Sequence, residues 1–181
     1  MRIAVSGTHC SGKTTLVEDF VAAHRDYVHE PEPYEWLDGS MAAEPAAEDF
    51  YRQLELSVDR LRTYGRDANV VAERSPLDFL AYMLALVDLG REGRDCELIA
   101  AAEELVAAGM AHIDLLVVLP SDGIPAPASE DLDLREAMNE RLLDLVSQNS
   151  VQIEGTREQR LRALEEAVNV GPALSRPIIN E

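Results

Sequence analysis

Short apolar runs alternate along the chain with longer stretches in which apolar residues recur at helical spacing. The short runs predict strands at 2–6, 27–29, 69–72, 113–119 and 150–154, and the periodic stretches predict helices at 13–24, 45–66, 76–89, 96–108, 134–147 and 156–168. The run 113–119 is almost wholly branched and apolar, which is typical of a strand covered on both faces. Strands that alternate with helices indicate an α/β fold, with a largely parallel sheet of about five strands and helices on both faces.

Glycine and proline mark several of the predicted element boundaries. We expect Pro76 to begin the helix at 76–89, and we expect Gly109 to end the helix at 96–108. Segment 121–131 is rich in Pro, Ser, Asp and Gly and has no periodicity, so it predicts a loop, and we expect a lid around 121–141. No internal repeat divides the chain, which predicts one domain over residues 1–181.

Charge and cysteine spacing argue against several classes of function. The 34 acidic and 16 basic side chains give a formal net charge of -18, which would repel a nucleic acid backbone. No apolar run approaches the roughly 20 residues of a membrane-spanning helix, and the N-terminal apolar stretch is too short for a signal peptide. We therefore expect a cytoplasmic protein that binds neither nucleic acid nor membranes. Cys10 and Cys96 have no metal-ligand spacing, so we expect free thiols and no zinc site.

The strongest motif is GTHCSGKT at residues 7–14, which matches GxxxxGK[ST] between a predicted strand and a predicted helix. The backbone N–H groups of such a loop face a polyphosphate. We predict a P-loop NTPase fold that binds ATP and Mg²⁺, with Lys13, the only lysine of the chain, on the phosphates and the Thr14 hydroxyl on the metal ion. The predicted nucleotide-binding residues of the loop are Gly7, Ser11, Gly12, Lys13, Thr14 and Thr15. His9 and Cys10 occupy variable positions of the motif, and we assign them no chemistry.

Carboxylates and an arginine follow the predicted strands. Glu30 and Glu32 come after the second strand, and Glu73 and Arg74 come after the third. Because the carboxyl ends of parallel strands meet at one edge of the sheet, these side chains should converge on the bound triphosphate. One carboxylate would complete the Mg²⁺ shell, another would orient or deprotonate an acceptor hydroxyl, and the arginine would neutralise the moving phosphoryl group. The arrangement predicts transfer of the γ-phosphoryl group of ATP to a hydroxyl of a small molecule.

The first 80 residues resemble the deoxynucleoside kinases in three segments: EPYEW at 32–36, FYRQ at 50–53 and ERS at 73–75. The resemblance implies a nucleoside or nucleoside-like acceptor, and it makes Glu32 the base for the acceptor hydroxyl. Glu30 remains open as an alternative base. The resemblance also implies acceptor-side roles for Trp36, Gln53 and Arg60, a place near the magnesium for Glu73, and a place near the transferring phosphate for Arg74. A solvated polar helix face is the alternative interpretation of Gln53.

The second half is similar to the ribosylnicotinamide kinase domain and its AAA-type P-loop relatives. The similarity lies in IDLLVVL at 113–119, in the stretch 133–141, and in the last strand with TREQR at 156–160. In such kinases a lid carries arginines that close over the phosphates, which here implies Arg135 and Arg141. The loop after the last strand holds adenine in this superfamily, which implies a nucleotide contact for Arg157.

Other functions remain open from the sequence. A GTPase or regulatory ATPase switch would share the phosphate loop, although a chain whose only lysine is Lys13 has no Asn-Lys-x-Asp guanine motif. A larger AAA-type machine would need more chain and an arginine finger from a neighbour. A kinase of a non-nucleoside hydroxyl, such as an antibiotic, would need the same phosphate chemistry. We expect a small-molecule acceptor as the partner, and the chain could form a homodimer.

Overall fold

The computed structural model describes residues 1–37, 45–121, 125–146 and 150–171. The strands are β1 Arg2–Ser6, β2 Val28–Glu30, β3 Val70–Glu73, β4 Leu115–Val118 and β5 Ser150–Gln152. The helices are α1 Lys13–Ala23, α2 Ala47–Thr63, α3 Pro76–Asp88, α4 Cys96–Met110, α5 Leu132–Leu145 and α6 Arg157–Val170. A short 3-10 helix, Pro33–Trp36, follows β2 and was not predicted from the sequence. Within the described residues, no helix is both long enough and apolar enough to cross a membrane.

The five strands form one sheet in the order β2-β3-β1-β4-β5, and all neighbouring strands are parallel. The predicted α/β class and the predicted number of strands are thus confirmed. Because β1 lies at the centre, its side chains alternate between two buried faces. Ile3 and Val5 pack with α1 and α6, whereas Ala4 packs with the layer formed by α2, α3, α4 and α5.

Gly109 was expected to end a helix, and the structure corrects that interpretation. Helix α4 continues through Gly109 to Met110. A Cβ atom at this position would lie 2.7 Å from both Pro76 Cγ and Val58 Cγ2. Glycine is therefore used here for close packing of α4 against α2 and α3, and not for a turn.

Several boundaries also differ from the sequence pattern. Strand β4 is shorter than the predicted run 113–119, because Ile113 belongs to the turn that ends α4 and Leu119 follows the last strand residue. Helix α5 begins two residues earlier than predicted, because the Asp131 side chain accepts a hydrogen bond from the Leu134 backbone and caps it. Parts of the predicted lid (122–124), of the predicted α5 end (147) and of the C-terminal segment (172–181) lie outside the described residues.

Candidate active site

The phosphate loop joins β1 to α1 and is shaped by two glycines with positive φ. Gly7 has φ 151°, and a Cβ atom there would lie 2.7 Å from both Leu119 O and Ser11 Oγ. Gly12, with φ 91°, immediately precedes α1. No L side chain adopts these backbone conformations readily, so both glycines are required for the curl of the loop. The side-chain oxygens of Thr8 and Ser11 are buried in the loop without a hydrogen-bond partner among the described residues.

Lys13 is buried beneath this loop. Its Nζ donates a hydrogen bond of 2.8 Å to Thr8 O and lies 3.4 Å from Glu32 Oε1. Burial, and then the positive charge of Arg74, lower the pKa of Lys13 to about 8. The ammonium is therefore held close to the loop, where a polyphosphate would offer it stronger negative charge.

Glu32 bridges Lys13 and Arg74. Arg74 Nε donates to Glu32 Oε2 at 2.9 Å, and Arg74 Nη1 donates to Gly7 O at 3.2 Å. Burial alone would raise the pKa of Glu32, but the charges and hydrogen bonds of Arg74 and Lys13 outweigh burial and lower it to about 2. Although burial acts to lower the pKa of Arg74, the facing carboxylate of Glu32 raises it overall. Arg74 is also one of two non-glycine residues with positive φ in the described chain, at 70°. The three charges form a desolvated cluster at the carboxyl edge of the sheet.

Asp78 of α3 supports this cluster and was not among the predicted site residues. It is fully buried, and its Oδ1 accepts a 2.9 Å hydrogen bond from the Gly7 N–H. Its Oδ2 accepts from the backbone and hydroxyl of Ser75, at 2.8 and 3.0 Å. Asp78 Oδ1 also lies 3.6 Å from Arg74 Nη1. The start of α3 is thereby tied to the start of the phosphate loop.

Glu73 and Thr14, the two predicted metal ligands, are in contact. The Thr14 hydroxyl donates to Glu73 Oε2 at 2.6 Å, and the other carboxylate oxygen is 2.7 Å from His29 Nε2. The hydrogen bond to Glu73 raises the pKa of His29. A hydroxyl and a carboxylate side by side at a phosphate loop form an oxygen donor set that suits Mg²⁺. These residues therefore fit the metal ion that the sequence predicts.

Glu30 and Glu32 are both buried but have different partners. Arg60 holds Glu30 through two hydrogen bonds of 2.8 Å each, and the Tyr64 hydroxyl donates to the same carboxylate. Burial and the Glu30 carboxylate raise the pKa of Tyr64 to about 12. Arg60 also lies over the Trp36 ring, 4.4 Å from its centroid. Glu30 thus belongs to an ion pair beside the site, and Glu32 is the carboxylate that faces Lys13.

Gln53 lies on the buried side of α2, so its interpretation as part of a solvated face is wrong. The side chain is 3% exposed, and its Nε2 donates to Asp49 O at 3.4 Å. One turn of α2 away, Phe50 stacks on Tyr82 of α3 with ring centroids 4.5 Å apart. Arg74 lies 5.4 Å above the same Tyr82 ring. This aromatic pair connects the buried side of α2 to the charged cluster.

The predicted lid and nucleotide arginines occupy different places. Arg135 is buried, and its Nε donates to His9 O at 3.2 Å, which brings α5 to the phosphate loop. Arg141 instead pairs with Asp88 on the surface. Arg157 pairs with Asp19 of α1 through two 2.6 Å hydrogen bonds, and its predicted nucleotide contact stays a prediction.

Arg160, three residues after Arg157 on α6, contacts the phosphate loop. Its Nη1 donates to Ser11 O at 2.7 Å and its Nε donates to Gly155 O at 3.0 Å. Thr156 caps α6 by accepting from the Gln159 backbone, which sets the start of the helix. Arg160 therefore links the turn after β5 to the phosphate loop, whereas Arg157 lies outward on the first turn.

A family model described as "AAA domain" matches residues 2–160. The chain belongs to this family. No curated protein sequence matches the chain.

Three solved structures share the fold of this AAA domain. The NadR protein in complex with NAD and AMP-PNP has a TM-score of 0.67 at 20% identity, over 93% of this chain and 49% of its own, so the AAA domain spans about half of that chain. Deoxyadenosine kinase from M. mycoides with bound dATP has a TM-score of 0.64 at 14% identity, over 93% and 100%. Thymidylate kinase from Candida albicans has a TM-score of 0.61 at 17% identity, over 93% and 91%. These likenesses establish the predicted P-loop NTPase fold.

The sequence reasoning missed three residues of the candidate site. Asp78 had a usable signal, because SPLD at 75–78 matches the [ST]-x-x-[DE] pattern of a capped helix start. His29 had none, since an isolated histidine in a short strand carries no pattern. Arg160 had no signal either, because the sequence does not show which arginine of α6 packs against the phosphate loop.

Proposed function

We propose that the chain is an ATP- and Mg²⁺-dependent kinase that transfers the γ-phosphoryl group to a hydroxyl of a nucleoside or nucleoside-like small molecule. The observation that carries the proposal is the buried Lys13–Glu32–Arg74 cluster, which lies beside the Thr14–Glu73 pair at the mouth of the phosphate loop. A nucleotide switch requires the phosphate loop and a metal site. It does not require a second buried carboxylate such as Glu32, which faces Lys13. A carboxylate there suits an acceptor hydroxyl.

The nucleotide half of the site consists of the loop backbone, Lys13, and the Thr14–Glu73 pair. The Thr14 hydroxyl and the Glu73 carboxylate would hold Mg²⁺, which supplies charge neutralisation on the phosphate oxygens. Lys13 now donates to Thr8 O, so nucleotide binding must replace this bond with one to phosphate. Arg135 reaches the loop from α5 and would add a positive charge on the lid side.

The acceptor half is organised by Glu32. With a pKa lowered to about 2, this carboxylate is ionised at neutral pH and is a weak base before substrates bind. It would therefore first orient the acceptor by accepting a hydrogen bond from its hydroxyl. When Lys13 turns to the phosphates, Glu32 loses one of its two neighbouring cations and keeps only Arg74. The proton affinity of the Glu32 carboxylate then rises, while the acceptor hydroxyl becomes more acidic during transfer. Arg74 is then placed between Glu32 and the loop, where it would neutralise the transferring phosphoryl group.

The nucleobase side is proposed for the face of α2 that carries Gln53, next to the Phe50–Tyr82 stack. A cavity of about 630 Å³ lies one turn of α3 beyond Tyr82. Leu86, Arg91 and Leu134 are among the residues that line it. Its volume lies in the range of small-molecule sites, about 300–1,000 Å³. The fold is shared with a deoxyadenosine kinase and a thymidylate kinase, which supports an acceptor of nucleoside class, and with NadR in complex with the ATP analogue AMP-PNP, which supports ATP as the donor.

The test is acceptor-dependent release of ADP from ATP and Mg²⁺, measured against nucleosides, deoxynucleosides, nucleotides and non-nucleoside hydroxyl compounds. We expect turnover only with a nucleoside-like acceptor. Glu32→Gln should lower kcat by about 100-fold or more, while Glu35→Gln, an exposed neighbour on the 3-10 helix, should leave it unchanged. Hydrolysis that ignores every acceptor would replace the proposal with a nucleotide switch. Turnover only with a non-nucleoside hydroxyl would keep the kinase and reject the acceptor class.

A further inference from the structure

A cluster of three metal-ligating side chains lies beside the phosphate loop and has no part in the proposed kinase chemistry. His9 and Cys10 are adjacent in the loop, and Glu130 comes from the segment that leads into α5. The ligand atoms of the three side chains all lie within 4.8 Å of one another. His9 Nδ1 is 2.7 Å from Glu130 Oε2 and 3.2 Å from Cys10 Sγ. Imidazole, thiolate and carboxylate are the three side-chain ligand types of protein zinc sites.

The backbone around the cluster is held in place from two helices. The His9 N–H lies 3.3 Å from the Tyr82 hydroxyl of α3, and the His9 carbonyl accepts from Arg135 of α5. Cys10 has φ 57°, a conformation that a non-glycine residue adopts only where its surroundings enforce it. This conformation places the thiol next to the His9 ring. The strained loop residue and the fixed neighbours indicate a preformed group of ligands.

Glu130 is positioned independently of His9. Its backbone N–H donates to Pro127 O in a turn, and the next residue, Asp131, caps α5 and pairs with Arg91. The Glu130 side chain is only 17% exposed although it carries a charge. Because 121 residues separate His9 from Glu130, it is the fold and not the local sequence that brings this carboxylate to the histidine and the thiol.

We propose that His9, Cys10 and Glu130 form a binding site for a thiolate-preferring divalent cation of the Zn²⁺ class. Metal–ligand bonds of about 2.0–2.3 Å in a tetrahedral site place neighbouring ligand atoms about 3.3–3.6 Å apart. The His9–Glu130 separation must therefore widen by about 0.6 Å and the Cys10–His9 separation by about 0.4 Å, changes within the reach of side-chain rotation. A fourth position is left for water or another oxygen ligand.

The binding step balances as a ligand exchange without redox change. The Cys10 thiol loses its proton to the solvent, the His9 ring binds through Nδ1 and keeps its proton on Nε2, and the Glu130 carboxylate replaces a metal-bound water. Mg²⁺ is a poor competitor because it prefers oxygen ligands, whereas thiolate and imidazole favour Zn²⁺ and Co²⁺. The site therefore differs in ligand chemistry from the Thr14–Glu73 pair, and it does not depend on the proposed kinase activity.

The test is a Co²⁺ titration of the reduced, nucleotide-free protein under anaerobic conditions with excess Mg²⁺. We expect one Co²⁺ per chain, tetrahedral d–d bands, and a thiolate-to-cobalt charge-transfer band that Zn²⁺ abolishes. Cys10→Ser should remove the charge-transfer band, and His9→Ala and Glu130→Gln should each weaken binding by more than about tenfold, since even outer-shell partners cost 10–100-fold.

The chain offers two control variants for the Co²⁺ titration. Cys96→Ser removes the other free thiol, and His24→Gln breaks a His–Glu pair of 3.1 Å that has no thiol beside it. Both variants should bind Co²⁺ like the parent protein. The absence of Co²⁺ binding, a charge-transfer band that survives in Cys10→Ser, or one that is lost in Cys96→Ser would overturn the proposal. Circular dichroism checks the fold, and if Cys10→Ser does not fold, unchanged affinity in both His9→Ala and Glu130→Gln would equally overturn it.

Discussion

Replacing Glu32 by glutamine tests the physical account of the site in the absence of any substrate. Glutamine has nearly the shape of a protonated glutamate, so the substitution removes the charge and leaves the volume. It leaves Arg74 and Lys13, both buried, without the carboxylate between them. Removing one partner of a buried ion pair is costly because the other charge stays desolvated.

The cost can be worked out from the protonation equilibrium of Glu32. Its pKa falls from the ordinary 4.5 to about 2 in the folded protein. A tenfold change in such an equilibrium corresponds to about 1.4 kcal/mol, so the ionised form contributes about 3 kcal/mol to folding. Broken buried ion pairs typically cost about 3–5 kcal/mol, which agrees. For a chain of this size, 3 kcal/mol lowers Tm by about 6–12 °C.

The sign of the pH dependence follows from the lowered pKa. The contribution of Glu32 is present above pH 4.5 and is lost as the pH falls from 4.5 towards about 2, because the unfolded chain takes up the proton first. The stability difference between the parent protein and Glu32→Gln should therefore be largest near neutral pH and shrink in acid.

Urea unfolding between pH 3 and 7 measures this difference, with Glu35→Gln as the control. Glu35 is exposed on the same 3-10 helix, so its loss should change the unfolding free energy by less than about 0.5 kcal/mol. If Glu32→Gln were no less stable than Glu35→Gln at pH 7, or if the difference did not shrink in acid, the ion cluster would not exist as described.

Three further predictions concern other parts of the structure. Lys13 is the only lysine, so NMR of lysine-labelled protein should give one titration, with a pKa of about 8. Because this pKa lies below the ordinary 10.5, the free energy of unfolding should rise as the pH increases from about 8 to 10.5. An NMR titration midpoint above 10 would contradict the burial of the ammonium. Gly109→Ala should lower the free energy of unfolding in urea by about 1–3 kcal/mol, because the added methyl group overpacks the core. Gly93→Ala should lower it far less, because no atom lies within 4 Å of a Cβ at that position. Equal losses would refute close packing at Gly109. Arg160→Ala should weaken ATP binding by about tenfold, because charged hydrogen bonds to the loop are lost. Arg157→Ala should weaken it less, and calorimetric titration that ranks the two variants in the opposite order would contradict this prediction and support the nucleotide contact implied for Arg157.

The fold and the phosphate loop could be predicted because both depend on local patterns. The alternation of short apolar runs and helical periodicity specifies βαβ units, and the connection rule for such units makes the sheet parallel. The loop motif is contiguous, so its strand–loop–helix context is visible in the sequence. The convergence of Glu32, Glu73 and Arg74 then follows from topology alone, because strands β2, β3 and β1 are neighbours with their carboxyl ends together.

What the sequence leaves open is the choice of partner for each charged residue, because that choice is made by packing. Glu30 and Glu32 are two residues apart in one acidic turn, yet Glu30 is the last residue of β2 and pairs with Arg60 of α2. Glu32 lies beyond the strand, at the start of the 3-10 helix, and reaches Lys13 and Arg74. Packing likewise gives Arg160 and Arg157 different partners, although they are three residues apart on one helix. It also pairs Glu130 with His9, a contact that the sequence around Glu130 does not predict. In a chain with 34 acidic and 16 basic side chains, most carboxylates must remain in water, so burial identifies the few that act together.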